Sequence, residues 1–249
     1  MDSRADPSRM GRVTTESPAS PVSDVSVLAR RALALAPTGG RAIVGVAGSP
    51  GSGKTTLARH VADRVNDLAG GGTAVHLPMD GFHLANATLD ALGRHDRKGA
   101  IDTFDGWGFA ALLQRVLTET GNPVYAPAFE RTVDEPVAGS IAVPPATRIV
   151  VVEGNYLLID ADPWSRIPAL LAESWFVETP EDERMRRLVD RHTRHGRTPE
   201  AATAWARDVD GANAVLIEAS RTRATLVVDG SGGSTGVSDL AAATHSMER

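Results

Sequence analysis

Apolar residues recur along the chain in two rhythms. Short continuous runs at Ala42–Ala47, Ala74–Met79, Arg148–Glu153, Trp175–Val177 and Thr225–Val228 read as buried strands. Between them apolar positions return every three or four residues, the spacing that lines one face of a helix. Val25, Val27, Leu28, Ala32 and Leu35 predict a first helix, ended by Pro37-Thr38-Gly39-Gly40. A second runs from the residues before Leu57 to about Leu68 and stops at Gly70-Gly71-Gly72. Leu84–Leu92 predicts a short helix, and Phe109, Leu112, Leu113, Val116 and Leu117 share one face of a better one. Pro123–Pro145, with scattered prolines and short β-prone pieces, predicts a hairpin and loops. Thr179-Pro180-Glu181-Asp182 reads as a helix start, with a threonine cap, proline in first position and acids in the first turn. That helix stops at Gly196. Thr198-Pro199-Glu200 opens another, with Trp205, Val209, Ala212 and Leu216 expected on its buried face.

Strands alternating with helices imply a parallel sheet of about five strands inside a three-layer α/β fold. The expected domain covers 22–229, with the helix pair at about 180–218 as a helical lid. Residues 1–21, rich in Ser, Pro, Arg and Asp, read as a disordered tail, and 230–249 as a flexible Gly/Ser tail.

Composition narrows the chemistry. The 249 residues are 42% hydrophobic, enough for one large core. A net charge of -5 argues against a nucleic-acid partner, which usually meets a basic surface. The chain has no cysteine, which excludes disulfides, thiolate catalysis and cysteine-based zinc sites. No run of about 18 apolar residues exists and no apolar leader is visible, so no membrane partner and a cytoplasmic location are expected. A homodimer is left open.

The sharpest signal is Gly48-Ser49-Pro50-Gly51-Ser52-Gly53-Lys54-Thr55-Thr56, which fits G-x-x-x-x-G-K-[ST] between an apolar strand and a helix. Glycines let successive N–H groups curl around an anion, and the helix N-terminus adds partial positive charge. Such a loop binds a nucleoside triphosphate, with Lys54 reaching the outer phosphates and the Thr55 hydroxyl holding Mg2+. ATP and Mg2+ are therefore the expected cofactors. The alternative is a glycine-rich turn with a chance lysine.

Other candidates surround this loop. Asp80, ending the strand expected beside the first, could take a proton from an acceptor hydroxyl across the cleft; it could equally be a turn residue before Gly81. Glu153 closes a run of four apolar residues and reads as a Mg2+ ligand or a strand-end cap. Of the arginines after Arg184, Arg191 and Arg194 lie nearest the Gly196 break, where a lid would close over a transferring phosphate; the rest suit a solvated face paired with Glu181, Glu183 and Asp190. His83 contacts substrate or packs. His192 and His195 read as surface residues.

These residues resemble the pantothenate kinase, uridine kinase and phosphoribulokinase group of P-loop kinases, over about Ala42–Val228. Met79-Asp80-Gly81-Phe82 resembles the segment whose aspartate is the catalytic base, and Val152-Glu153-Gly154-Asn155 the metal-side strand. Asp190-Arg191-His192 with Arg194 resembles the lid. Asn213 falls where the family has an acceptor-contacting asparagine, and Arg223 lies in a loop near the adenine side. Pro123-Val124-Tyr125 resembles the start of the acceptor loop, but Ala126–Arg131 carries no histidine where pantothenate kinases have one. The resemblance implies a P-loop NTPase fold and a kinase moving the γ-phosphoryl group of ATP to a hydroxyl of a small metabolite. Phe82, His83, Tyr125, Arg131, Asn155, Tyr156 and Asn213 are then expected near the acceptor. The rival is a nucleotide-hydrolysing switch or assembly factor, against which the lack of an N-K-x-D motif weighs for GTP.

Overall fold

The computed structural model describes residues 24–231. The tail expected at 1–21 lies outside them, as does all but Gly230 and Ser231 of the tail expected at 230–249. Five parallel strands form the central sheet: β1 (Ala42–Ala47), β2 (Ala74–Pro78), β5 (Ile149–Gly154), β6 (Glu173–Glu178) and β7 (Leu226–Asp229), in the order β2-β5-β1-β6-β7. The remaining two, β3 (Val124–Glu130) and β4 (Glu135–Val143), pair as a separate antiparallel hairpin.

Alternation along the buried strands divides the core in two. Val44, Val46, Ile149, Val151, Trp175 and Val177 face α1 (Val25–Ala34) and α2 (Lys54–Ala69). Ile43, Val150, Val152 and Phe176 face the opposite way, onto Phe109 and Leu113 of α4 (Gly106–Thr118), Val124 and Ala126 of the hairpin, and the loop after β5. Both faces of β1 and β5 are covered, which is why these strands read as unbroken apolar runs. Asn86–Leu92 forms α3, the short helix expected there.

Three expectations are corrected. Asp80 does not end a strand beside β1: β5 lies between β2 and β1, so Pro78, Glu153 and Val46 stand side by side in one row. The second lid helix is also not continuous. It comprises α6 (Pro199–Trp205), a π-helical turn at Ala206–Asp210, and α7 (Gly211–Glu218). The wider turn rotates α7 relative to α6, so the buried residues are Ala202, Ala206, Asp210, Ala214 and Ile217. Ala212 and Leu216, expected inside, are exposed, and Trp205 and Val209 are half-buried. Thr198 caps α6 as expected, accepting from the Ala201 amide. Thr179 does not cap α5 (Glu181–Arg194); its hydroxyl donates to the Ser52 carbonyl, tying the lid to the loop after β1.

Candidate active site

The loop 48–53 leaves β1 with left-handed backbone at Gly51 (φ 79°) and Gly53 (φ 90°) and enters α2 directly. Gly51 has a second reason to lack a side chain: a Cβ there would lie 2.7 Å from the Arg184 carbonyl oxygen. No side chain caps α2, so its first N–H groups stay free to meet an anion, at the positive end of the helix dipole. Gly48, Ser49, Pro50 and Ser52 are buried beneath the curve. The Ser49 hydroxyl donates to Glu218 at 2.5 Å, while the buried Ser52 hydroxyl has no partner among the described residues. Thr56 stands on the exposed side of the first turn.

At the strand ends three charged groups converge. Glu153 is buried, and its Oε1 accepts from the Thr55 hydroxyl at 3.1 Å. Lack of hydration pushes its carboxyl above the usual carboxylate range, and repulsion from Asp80 adds to this, against the attraction of Lys54 and Arg131. Lys54 is partly exposed as a residue, but its amine lies deep in the cleft and its pKa is lowered by burial; Glu153 and Asp80 oppose that shift, and Arg191 and Asp210 also act on it. Asp80 is half-buried in the turn Met79–Phe82, which follows β2 at the same edge of the sheet as Glu153. The hairpin holds that turn: a Cβ at Gly81 would lie 2.2 Å from the Pro127 carbonyl oxygen.

The donor set fits a magnesium ion carried in on phosphates. A hydroxyl and a buried carboxylate meet at the phosphate loop, and among the described residues no cluster of three or more His, Cys, Asp or Glu forms a cage. Mg2+ commonly takes one or two protein ligands and completes its shell with water and phosphate oxygens.

On the far side of the loop a groove of about 430 Å3 opens, lined by Glu178, Pro180, Arg184, Glu218 and Asp229 among others. Arg184 is buried, yet its Nε has no hydrogen-bond partner among the described residues.

A sequence model of the phosphoribulokinase / uridine kinase family matches residues 43–232. The chain belongs to that family. It is 41% identical to the "ATP-dependent kinase-like protein notR'" of Aspergillus versicolor over 133 residues, 51% of this chain and 77% of that one. It is 34% identical to the "Putative uridine kinase C227.14" of Schizosaccharomyces pombe over 175 residues, 69% of this chain and 74% of the other. The crystal structure of a "putative fructose transport system kinase" from Silicibacter sp. TM1040 superposes with a TM-score of 0.75 at 38% identity, covering 82% of this chain and 98% of that one. The fold is that of the P-loop kinases, and the protein is a kinase of this family.

Several expected site residues stand elsewhere. Arg194 is turned to solvent and paired with Asp190, one helical turn back. Arg223 is outside the groove and clamps the loop after β5 through the Leu158 carbonyl and Asp160. Tyr156 is fully buried in the core, its hydroxyl donating to the Gly99 carbonyl at 2.7 Å; Asn213 Nδ2 reaches the same carbonyl at 3.4 Å. Phe82 packs edge-on against Phe109. His83 stacks between Phe104 and Phe129, and burial lowers its pKa. Tyr125 lies on the exposed face of β3, opposite buried Val124 and Ala126. By contrast Arg131, past the end of β3, is within electrostatic reach of Glu153, and Asn155 Oδ1 is buried beside it without a partner. His192, expected at the surface, is buried against Asp210.

Glu218 and Asp210 carried no expectation from the sequence, and Arg187 was grouped with the arginines of a solvated face. Arg187 reaches the carbonyls of Gly51, Ser52 and Gly230 and so lies against the phosphate loop. Its signal was available: Arg184, Arg187 and Arg191 recur at i, i+3 and i+7, one face of α5.

Proposed function

We propose that this kinase uses ATP and Mg2+ to phosphorylate a hydroxyl group of a small metabolite. The observation that carries the reading is the row at the strand ends. Asp80, Glu153 and the phosphate loop follow one another across β2, β5 and β1, so a base, a metal ligand and a phosphate cradle share one cleft.

In this reading the loop amides and Lys54 bind the β- and γ-phosphates, and the 430 Å3 groove receives the nucleoside. Thr55 and Glu153 hold Mg2+, which supplies neutralisation of phosphate charge when bound. Asp80 orients the acceptor hydroxyl and takes its proton as the oxygen–phosphorus bond forms and the β–γ bridging bond of ATP breaks. Arg191 offsets charge on the transferring group. Arg131 and Asn155, near Glu153 on the hairpin side, are the best-placed contacts for the acceptor. The names of the relatives support a hydroxyl acceptor without agreeing on one, since one is named for uridine and another for a fructose system.

The test is ADP release measured across a panel of nucleosides, sugars and vitamin precursors. The reading expects at least one to raise turnover well above the rate with water alone. Hydrolysis indifferent to every metabolite would favour the switch reading instead.

A further inference from the structure

Among the described residues the Arg191 side chain makes no hydrogen bond, and a buried pair beside it has no place in the mechanism above. His192 Nε2 lies 2.7 Å from Asp210 Oδ2. Its Nδ1 faces Arg197 Nη1 at 3.2 Å. A guanidinium can only donate, so Nδ1 accepts, and the imidazole proton sits on Nε2, directed at the carboxylate. Arg197 is itself fixed, its guanidinium 4.1 Å from the Trp205 ring centre. The other oxygen of Asp210, Oδ1, looks towards Arg191 Nη2 at 3.9 Å.

We propose that Asp210, fixed by His192, is a positioning residue that aims the Arg191 guanidinium at the phosphoryl group in transfer. The proposal rests on the kinase reading above. Three features carry it. First, Asp210 is only 8% exposed and ends the π-helical turn. A regular helix through Ala206–Asp210 would point it elsewhere, and such turns are frequent at functional sites. Second, the 3.9 Å spacing is too long for a hydrogen bond. Asp210 therefore orients Arg191 electrostatically while the guanidinium donors stay free for phosphate oxygens, whereas a tight two-point pair would occupy them. Third, Arg187, one turn before Arg191 on the same face of α5, reaches the Gly51 and Ser52 carbonyls, so that face of the helix is turned towards the phosphate loop.

The experiment needs no knowledge of the acceptor. Affinity is measured for ADP with Mg2+, with and without aluminium fluoride, a mimic of the transferring phosphoryl group. Wild-type protein should bind tighter with the fluoride. Asp210→Asn should leave ADP affinity within about 3-fold but remove about 10- to 100-fold of the tightening, as Arg191→Ala does. The double variant should lose no more than Arg191→Ala alone, the mark of a residue acting through another. His192→Gln, which keeps a donor near Nε2, should retain more tightening than His192→Leu. Thermal melts run alongside, and the His192 pair carries the test if Asp210→Asn melts early.

The proposal is overturned if Asp210→Asn keeps the tightening while Arg191→Ala loses it, if the two losses add, or if Arg191→Ala keeps it. Wild-type protein showing neither tightening nor acceptor-dependent ADP release would overturn the kinase reading itself, and this inference with it.

Discussion

Lys54 and Glu153 each pay for burial with a shifted pKa, and each partly relieves the other. Lys54 is pulled down and Glu153 pushed up because neither is well hydrated, and their attraction opposes both shifts. Removing Lys54 takes that attraction away from Glu153, so Lys54→Met should weaken triphosphate binding and move the Glu153 carboxyl further up. A nucleotide titration repeated across pH reads both effects. Gly51→Ala should fail differently. The left-handed backbone alone costs about 1–2 kcal/mol, and the new methyl group presses on the Arg184 carbonyl of α5. Its signature is a lower melting temperature together with weaker nucleotide binding. At this scale the glycine loop, Lys54, Thr55 and Glu153 were legible, because short spacing and a strand-end position fix them. Arg194, Arg223 and Tyr156 have partners that the sequence did not suggest. Whether a side chain turns to a cleft, to solvent or to a core depends on contacts from segments far away in sequence, such as Asp160 or Gly99.

Among the elements, the start of β1 carries a staple that no pattern of apolar residues reveals. Arg41 is buried and donates to four carbonyls, those of Val116, Pro144, Thr147 and Glu119. It joins the end of α4 and the β4–β5 connection to the sheet. Arg41→Met should strand several of these acceptors and lower stability by about 2–4 kcal/mol, read from urea unfolding, while nucleotide affinity at the opposite end of the sheet holds. Strands and helices were legible wherever both faces of a strand are covered or one face of a helix is buried. The π-helical turn was not, because it keeps the local propensity of a helix while shifting its phase by one residue. Strand order was not legible either. The run Ile149–Val152 shows that β5 is buried on both sides but not which strands flank it.

For the whole molecule, buried histidines set an acid limit on stability. His76, beside Glu153, is held down to about 4, chiefly by burial and then by Arg59; His83 is lowered too, chiefly by burial. Both are neutral in the fold and protonate more readily once unfolded. Their contribution is complete above about pH 6.5 and is lost as pH falls towards 4, up to about 3 kcal/mol for His76. Unfolding curves at pH 7.5, 6 and 5 should show the decline, and His76→Gln should flatten it. No helix among the described residues is long and apolar enough to cross a membrane.

The fold brings Asp80 in the turn after β2, Glu153 near the end of β5 and Lys54 at the start of α2 to one edge of the sheet, and proton transfer to Asp80 is the step on which the proposed mechanism rests. The most direct test is acceptor-dependent ADP release by Asp80→Asn, with ATP affinity measured on the same preparation. The account predicts a loss of about 100- to 10,000-fold in kcat with ATP affinity unchanged. A variant that turns over at the wild-type rate would contradict it.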